Sequence, residues 1–390
     1  MLVALAKTLD RRRVVPTVVC LKDAGGLASE LGEARVRLYC NLLRNKFDAF
    51  VICRLLRLIR RESIDAICVV PAGGDRMFWS TLAGRLAGIP CIVWSQFYPR
   101  LGFSGFERSN RVLLRCVERV VALGGRHRLA LIRRERIPPG RVVVVRNAIA
   151  PEEFDRPEWR GEARRRLGVP ADDTVAIGMV ANLRVEKRHD VFIEAAKVLA
   201  GRYPHTVFYL IGGGTEEAVV RGWMAGSGLS GDRLRLLGPR DDLPVLMQGL
   251  DIVCLCSEWG ECQSIAMLEA MAAGKAFVGP DIGSLDEALI DGLTGLTVQP
   301  ADVPSLTAAL ERLIVNPAER NLLGQRARAK VFAEFRVEEM ARQFEDLIET
   351  ACDSRVTNRP GMVQKRGLTS EPTLDDDPEN GFRRGACPRF

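Results

Sequence analysis

Residues 257–274 read Ser-Glu-Trp-Gly-Glu-Cys-Gln-Ser-Ile-Ala-Met-Leu-Glu-Ala-Met-Ala-Ala-Gly, a loop that leads into an apolar helix. Glu261 lies in the loop, and Glu269 lies within the helix. Their spacing of eight residues is slightly more than two helical turns, which predicts that both carboxylates face one side. The backbone N–H groups of residues 262–265 fall at the helix start, where unpaired donors and the helix dipole can bind a phosphate. This pattern suits a sugar nucleotide, although an amphipathic helix with solvated glutamates has the same spacing.

The chain has 390 residues, of which 47% are hydrophobic, and this is enough for two domains with large cores. No apolar run approaches the length of a membrane span, and the start lacks the pattern of a signal peptide. We therefore expect a cytoplasmic protein. The eleven cysteines form no C-x2-C pair and have no matching histidine cluster, so we expect them to be small buried hydrophobic residues.

Charge is divided unevenly along the chain. Residues 1–146 carry 27 Lys and Arg against 11 Asp and Glu, whereas the remainder is acidic overall. A basic half indicates contact with nucleic acid, phospholipid or an acidic acceptor, or simply a solvated face. A predicted helix from Asp48, its N-cap, to Arg61 repeats arginine at turn spacing. Such a helix can lie on an acidic membrane or cover a parallel sheet, and we favour the second interpretation.

Strand and helix patterns alternate through two regions, which predicts an α/β protein with two doubly wound, Rossmann-like domains that face a cleft. Ligands of such sheets bind beyond the carboxyl ends of the strands, where the βα loops lie. The predicted parts are residues 1–148, a first domain; 149–172, a linker; 173–331, a second domain; 332–352, a C-terminal packing helix; and 353–390, a disordered tail.

Five further loops agree in their order with one known family. They are Ala181–Lys187, Ile211–Gly214, Leu237–Arg240, Pro280–Glu287 and Asp291–Gly295. With the pattern Ser-x-x-Gly-Glu-x7-Glu-Ala-Met-Ala-x-Gly, they resemble the retaining glycosyltransferases of family 4, or glycosyl transferases group 1, which have the GT-B fold. The resemblance covers most of residues 1–352. It implies that the first domain is the acceptor side, incomplete at its start, and that the second binds the nucleotide-sugar donor.

The same resemblance implies roles for individual residues. Glu269 would hold the ribose hydroxyls of the nucleotide, and Glu261 would contact the hydroxyls of the transferred sugar. Lys187 matches the family lysine that neutralises the leaving diphosphate. The family's partner arginine is Asn182 here, so Arg184 is predicted to supply that charge. The remaining predicted donor contacts are Ser264, Ile265, Cys262 and Gln263 at the phosphates, Arg240 at the base, and Gly214 in the glycine-rich turn.

The function that the resemblance implies is transfer of a sugar from a nucleotide-diphosphate sugar to a saccharide or lipid-linked acceptor, with retention of the anomeric configuration. We expect no metal, no other cofactor and no nucleic-acid partner. The expected role is synthesis of cell-envelope, capsular or exopolysaccharide glycans, in the cytoplasm or peripherally on the inner face of the membrane. A dinucleotide oxidoreductase is disfavoured, because no G-x-G-x-x-G follows a strand with the required acidic partner.

The first half departs from the family pattern. Family members usually open with a strand and a Gly-Gly loop, whereas this sequence opens at the helix Leu2–Leu9, so we expect a start codon assigned too late or a real truncation. The histidine that usually follows the strand Cys91–Trp94 is also missing, with Tyr98 as its candidate replacement. His127 is predicted on a surface helix, and His189 at the start of a donor-domain helix. The alternative to an active transferase is therefore a catalytically impaired nucleotide-sugar-binding protein.

Overall fold

The structure, a computed structural model, describes residues 1–70, 74–96, 107–115 and 117–357. Contacts divide the chain into two compact units. The larger unit contains residues 121–341 with Met1 and residues 95–96, and the smaller contains residues 2–94, the described residues of 107–120, and the chain from residue 342. The domain boundaries predicted after residues 148 and 172 stay a prediction.

Two sheets occupy the first part of the chain. Their strands are β1 (Thr17–Cys20), β2 (Arg37–Cys40), β3 (Ile67–Val69), β4 (Cys91–Trp94), β5 (Arg119–Ala122) and β6 (Val142–Val144). β1 and β2 pair in parallel as a separate two-stranded sheet. The other four follow the order β3-β4-β5-β6, and β3 and β4 are parallel. The sequence predicts strands at residues 14–21, 34–39, 64–70, 89–94, 119–123 and 141–146, and the structure confirms all six at shorter lengths.

Six helices accompany these strands. They are α1 (Leu2–Thr8), α2 (Leu27–Glu33), α3 (Val51–Arg61), α4 (Gly74–Ala87), α5 (Glu107–Leu114) and α6 (Gly125–Arg133). The sequence predicted all of them except α2. A turn at Gly25, whose φ of +55° favours glycine, precedes that helix.

The helix α3 packs its apolar face into a buried cluster, as expected for a helix that covers a sheet. Its predicted N-cap is wrong. The helix begins after Phe50 and has no side-chain cap. The Asp48 carboxylate accepts a hydrogen bond from the Arg44 N–H at 3.1 Å and forms an ion pair with Arg54. These partners occupy the carboxylate that the sequence assigned to the helix start.

The larger unit is built on a six-stranded parallel sheet. Its strands are β7 (Val175–Val180), β8 (Thr206–Ile211), β9 (Leu234–Gly238), β10 (Ile252–Cys254), β11 (Ala276–Pro280) and β12 (Leu296–Val298). They follow the order β12-β11-β10-β7-β8-β9, and every pairing is parallel. β12 was not predicted. The helix predicted around Asp286–Ile290 is only a 3₁₀ turn, Leu285–Glu287.

Helices lie on both faces of this sheet, because alternate residues of β7 enter two different apolar clusters. Ile177 and Met179 belong to one cluster, and Ala176 and Val180 belong to the other. The helices after β6 are α7 (Arg160–Leu167), α8 (His189–Arg202), α9 (Glu217–Gly226), α10 (Leu243–Gly249), α11 (Ile265–Ala272), α12 (Val303–Val315), α13 (Pro317–Glu334) and α14 (Val337–Thr357). This doubly wound arrangement confirms the predicted α/β class.

The end of the described chain corrects one prediction. The packing helix predicted for residues 332–352 is α14, which begins at Val337 after a break at Phe335. It continues to Thr357, so residues 353–357 are helical rather than part of the predicted disordered tail. The rest of that predicted tail, residues 358–390, lies outside the described residues.

Two neighbouring loops of the larger unit touch through their backbones. The loop after β8 contains Gly212 and Gly214, and it lies against the loop after β7. A Cβ atom on Gly212 would lie 2.0 Å from the Ala181 carbonyl oxygen, and one on Gly214 would lie 2.3 Å from the Leu183 oxygen. Since real Cβ atoms do not approach so closely, both positions require glycine. These contacts hold the β7 loop in place, and that loop carries Lys187.

We therefore predict that Gly214→Ala destabilises the protein by about 1–3 kcal/mol, because its methyl group must push the two loops apart. The matched control is Gly222→Ala on α9, where a Cβ atom would meet nothing within 4 Å. That substitution should stabilise the protein by about 0.5–1 kcal/mol, since alanine favours a helix. Urea unfolding followed by circular dichroism measures both changes. A Gly214→Ala variant that is as stable as wild type would contradict the close packing of the loops.

Candidate functional site

Two loops at the carboxyl ends of the central strands form the candidate site. The loop after β7 contains Lys187, and the loop after β10 contains Glu261. A backbone hydrogen bond of 2.9 Å from the Glu258 N–H to the Glu186 oxygen joins them. Parallel sheets bind ligands at this edge, because their βα loops converge beyond the carboxyl ends of the strands.

Lys187 and Glu261 form an ion pair through Nζ and Oε1. The side chain of Glu261 is only 8% exposed and that of Lys187 is 19% exposed, so water screens the pair weakly. The same Glu261 oxygen accepts a hydrogen bond of 2.8 Å from the hydroxyl of Ser257, which is fully buried. The structure thus brings together two residues that lie 74 positions apart in the sequence and were both predicted for the site.

The arginine that fixes these loops is Arg188, which the sequence prediction missed. Its guanidinium donates to Glu258 at 2.9 Å and forms a forked pair with Asp190. Its backbone is left-handed, with φ of +53°, which a non-glycine residue adopts rarely. The predicted arginine, Arg184, is exposed instead, and its described charged neighbour is Glu186 at 3.9 Å. Sequence spacing does not show which of Arg184 and Arg188 contacts the neighbouring loop, because the left-handed turn at Arg188 changes the direction of the chain.

The amino end of α11 offers unpaired donors. Ser264 caps this helix by accepting a hydrogen bond from the Met267 N–H at 3.3 Å. Among the described residues, the N–H groups of Cys262, Gln263, Ser264 and Ile265 donate to no acceptor. These are the groups that the sequence predicted for an anion, and the helix dipole favours negative charge there.

The loop before α11 is held by the loop after β11. A Cβ atom on Gly283, whose φ is +60°, would lie 2.1 Å from the Glu261 carbonyl oxygen. Next to it, the Ser284 N–H donates to the Cys262 oxygen at 2.8 Å. The turn Pro280–Glu287 therefore acts as a backbone support for Glu261.

Glu269 lies within α11 and is half-buried. Its carboxylate makes no hydrogen bond or ion pair with any residue that the structure describes. Burial raises the pKa of Glu269 to about 7, and the positive charge of the amino terminus lowers it by less. The carboxylate is therefore close to half-protonated at neutral pH and has its hydrogen-bonding capacity free.

Gln263 has a structural partner rather than a free side chain. Its Oε1 accepts a hydrogen bond of 2.6 Å from the Asn147 N–H, and its carbonyl oxygen accepts one of 3.2 Å from the Asn147 side chain. The side chain is therefore engaged within the protein, whereas the backbone N–H, which is the group predicted for the phosphate, remains unpaired among the described residues. Asn147 follows β6, so the contact ties that part of the chain to the α11 loop.

His127 lies on α6, a helix with an exposed face as predicted, but its own side chain is inaccessible to solvent. Its Nδ1 accepts from the Leu123 N–H at 3.1 Å, so Nε2 carries the proton. Nε2 lies 3.2 Å from the hydroxyl of Ser95 and 3.9 Å from the sulfur of Cys262. The sequence did not reveal this burial, because the arginines around His127 give α6 the composition of an exposed helix. Ser95 directly follows β4, where the family usually has its own histidine.

The other predicted residues lie outside this cluster of contacts. Asn182 is exposed on the β7 loop. Arg240 is exposed as well, and its guanidinium forms a fork with Asp242 at 2.8 and 2.9 Å. Tyr98 lies outside the described residues. His189 begins α8 as predicted, and burial lowers its pKa to about 4, so it is neutral at pH 7.

No three His, Cys, Asp or Glu side chains of the described residues are grouped so that they could hold a metal ion. The charged groups of the site are instead the Lys187–Glu261 pair, Arg188 with its carboxylates, and Glu269. A fixed cation beside unpaired N–H groups is an arrangement suited to a diphosphate.

Comparison with known families identifies the class of protein. The family model described as glycosyl transferases group 1 matches residues 160–330, and the model described as glycosyltransferase family 4 matches residues 1–153. Together they match most of the chain in the order of its two halves. The protein belongs to this family of glycosyltransferases and has the GT-B fold.

Particular relatives agree with this assignment. The alpha-D-kanosaminyltransferase of Streptomyces kanamyceticus is 27% identical over 71% of this chain and 75% of its own length. An Escherichia coli enzyme, UDP-Gal:alpha-D-GlcNAc-diphosphoundecaprenol alpha-1,3-galactosyltransferase, is 24% identical over 85% of this chain and 87% of its own. The crystal structure of Anabaena Alr3699/HepE with UDP and glucose has a TM-score of 0.78 at 20% identity, covering 90% of this chain and 95% of that one. This last similarity shows the fold.

Proposed function

We propose that this glycosyltransferase moves a sugar from a nucleoside-diphosphate sugar to a saccharide or lipid-linked acceptor, with retention at the anomeric carbon. The observation that carries the proposal is the Lys187–Glu261 ion pair beside the unpaired N–H groups that begin α11. Two similar proteins support it: the E. coli enzyme is named for UDP-Gal and a diphosphoundecaprenol acceptor, and the Anabaena structure contains UDP and glucose. A lipid-linked acceptor indicates a role in the synthesis of cell-envelope, capsular or exopolysaccharide glycans.

The chemistry requires that the bond from the anomeric carbon to the diphosphate oxygen breaks. Negative charge then grows on the diphosphate, and positive charge grows on the sugar ring. The N–H groups of residues 262–265 would stabilise the leaving diphosphate as donors fixed by the backbone, and Lys187 would add a positive charge once the donor is bound. These groups supply the charge for this step themselves, so we propose a reaction that requires no metal.

Glu261 would have two tasks in this scheme. Before the donor binds, it holds Lys187 in position and is itself held by Ser257. When the diphosphate arrives, Lys187 turns toward the phosphates, which releases Glu261 to accept hydrogen bonds from the sugar hydroxyls. Arg188 keeps both loops in place through Glu258. We therefore assign Arg188 a positioning role, and the contribution of Arg184 to the charge at the diphosphate stays a prediction.

Glu269 would accept hydrogen bonds from the ribose hydroxyls of the donor. Its carboxylate is half-buried and has no partner among the described residues. With its pKa raised to about 7, the ionised form, which is the stronger acceptor, gains population as pH rises through neutrality. Donor binding should therefore strengthen in the same direction.

We predict that the best donor in a panel of UDP- and GDP-sugars binds about tenfold more tightly at pH 8 than at pH 6, following the ionisation of Glu269. Calorimetry with intact nucleotide sugars measures this, since their phosphates do not titrate in this range. Glu269→Gln should bind with a flat pH profile, and Glu269→Ala should lose about 1.5–3 kcal/mol at pH 8. Equal affinities of wild type and Glu269→Ala would refute the ribose assignment.

Release of free nucleotide, measured with the same panel of nucleotide sugars, distinguishes an active transferase from a protein that only binds the donor. An active transferase turns over its preferred donor when an acceptor is present. The alternative, a catalytically impaired nucleotide-sugar-binding protein, binds that donor with the same pH dependence but releases no nucleotide above the uncatalysed rate. Binding and turnover are thus independent outcomes.

We also propose that the smaller unit contacts an anionic membrane surface, at the inner face of the membrane. The helix α3 presents Arg57 and Arg60 to solvent, and Phe47 and Phe50 before it are 68% and 76% exposed. Exposed aromatic rings beside arginines suit the interface of an anionic bilayer. No described helix has the length and apolar content that a bilayer span requires.

Vesicle sedimentation tests this surface. The vesicles contain roughly 30% phosphatidylglycerol, an anionic lipid that attracts basic helices. They should retain the protein at low salt and release it at high salt. Arg57→Gln combined with Arg60→Gln should reduce binding about 30-fold, at about 1 kcal/mol per charge. The control is Arg221→Gln combined with Arg202→Gln in the larger unit, which should leave binding unchanged. Equal retention of the two double variants would exclude α3 as the contact.

A further inference from the structure

A cavity lies at the opposite edge of the larger unit's sheet from the candidate site. Its volume is about 330 Å³, and its lining includes Arg160, Asp251, Lys275 and Arg320. Asp251 and Lys275 immediately precede β10 and β11, so the cavity meets the amino ends of these strands. The predicted donor contacts lie at their carboxyl ends.

Positive charge exceeds negative charge in this cavity. Among the described residues that line it, the carboxylate is Asp251, and three cations surround it. Its oxygens accept from Arg160 at 2.7 Å, from Arg164 at 3.4 Å and from the Ala176 N–H at 2.8 Å. The charge of Asp251 also raises the pKa of Lys275 and of Arg320, but a single carboxylate cannot balance the three cations of the lining.

Lys275 and Arg320 are the cations without a carboxylate partner among the described residues. Lys275 is only 9% exposed, and its ammonium donates to the Gln248 carbonyl oxygen at 2.8 Å. Arg320 donates to the Leu313 carbonyl oxygen at 2.9 Å. Carbonyl oxygens carry partial charge, so each cation keeps an uncompensated charge and spare N–H donors.

The protonation behaviour of Lys275 agrees with this excess of positive charge. Burial lowers its pKa to about 8, and the charge of Arg160 lowers it further. Burial likewise lowers the pKa of Arg320. Buried charges in proteins are normally paired, because an unpaired one loses its hydration without compensation.

We propose that this cavity binds a small anion of the phosphate or phosphate-monoester class between Lys275 and Arg320. Such an anion supplies the missing negative charge and accepts several N–H donors at once. The volume of about 330 Å³ accommodates inorganic phosphate or a sugar phosphate. This site is distinct from the donor site, and its occupancy does not depend on the transfer reaction.

Calorimetric titration of the full-length protein with inorganic phosphate tests the proposal, at pH 7.5 and with chloride added to constant ionic strength. Wild type should bind phosphate, and Lys275→Gln and Arg320→Gln should each weaken binding about tenfold or more. The control variant, Arg221→Gln, removes an exposed arginine of α9 that pairs with Glu217 at 2.8 Å, and should bind as wild type does. Circular dichroism confirms that each variant is folded. Arg320 is half-buried, so its variant keeps the test usable if Lys275→Gln unfolds.

A Lys187→Met variant distinguishes this cavity from the donor site. It should bind phosphate as tightly as wild type, whereas loss of binding in that variant would place the anion at α11 and overturn the proposal. Unchanged binding in both Lys275→Gln and Arg320→Gln, or no binding by wild type at millimolar phosphate, would overturn it too. Titrations with glucose 6-phosphate and sulfate distinguish a phosphate monoester from a free inorganic anion as the tighter ligand.

Discussion

The ion pair between Lys187 and Glu261 is the interaction on which the candidate site depends. It joins the loops after β7 and β10, and the low exposure of both side chains makes it stronger than a surface pair. A buried ion pair adds little net stability to the fold, because the cost of desolvating the two charges cancels much of their attraction. Its value here is that it holds a lysine ready for an incoming diphosphate while keeping the charge of the empty site balanced.

The backbone around this pair limits where it can lie. Gly214 packs on the β7 loop, and Gly283 packs on the Glu261 carbonyl, so both sides of the pair rest on contacts that exclude a side chain. Arg188 adds a third constraint through Glu258. The site is therefore preorganised by glycine-mediated packing and by arginine ion pairs, as an electrostatic catalyst requires.

Much of this arrangement could be predicted from sequence, because it depends on local order along the chain. Alternating strand and helix patterns predicted the doubly wound class, and the motif placed Lys187, Glu261 and Glu269 on βα loops or in the helix that follows. The errors occur where contacts between residues far apart in the sequence determine the local structure. His127 is buried against Ser95 and Cys262, the left-handed turn at Arg188 brings an arginine that was not predicted onto the neighbouring loop, and the edge strand β12 is defined by its pairing with β11. The cationic cavity was also missed, since its members are far apart in sequence.

The account is tested most directly by binding of the preferred nucleoside diphosphate to wild type, Lys187→Met and Glu261→Gln. If Lys187 leaves Glu261 for the diphosphate, Lys187→Met weakens binding about tenfold or more, as expected for loss of a charged hydrogen bond. Glu261→Gln tightens binding, because it removes the competing carboxylate. The unphosphorylated nucleoside serves as control and should show neither change. Unaltered binding of the diphosphate by Lys187→Met, or weaker binding by Glu261→Gln, would contradict the proposed exchange of partners.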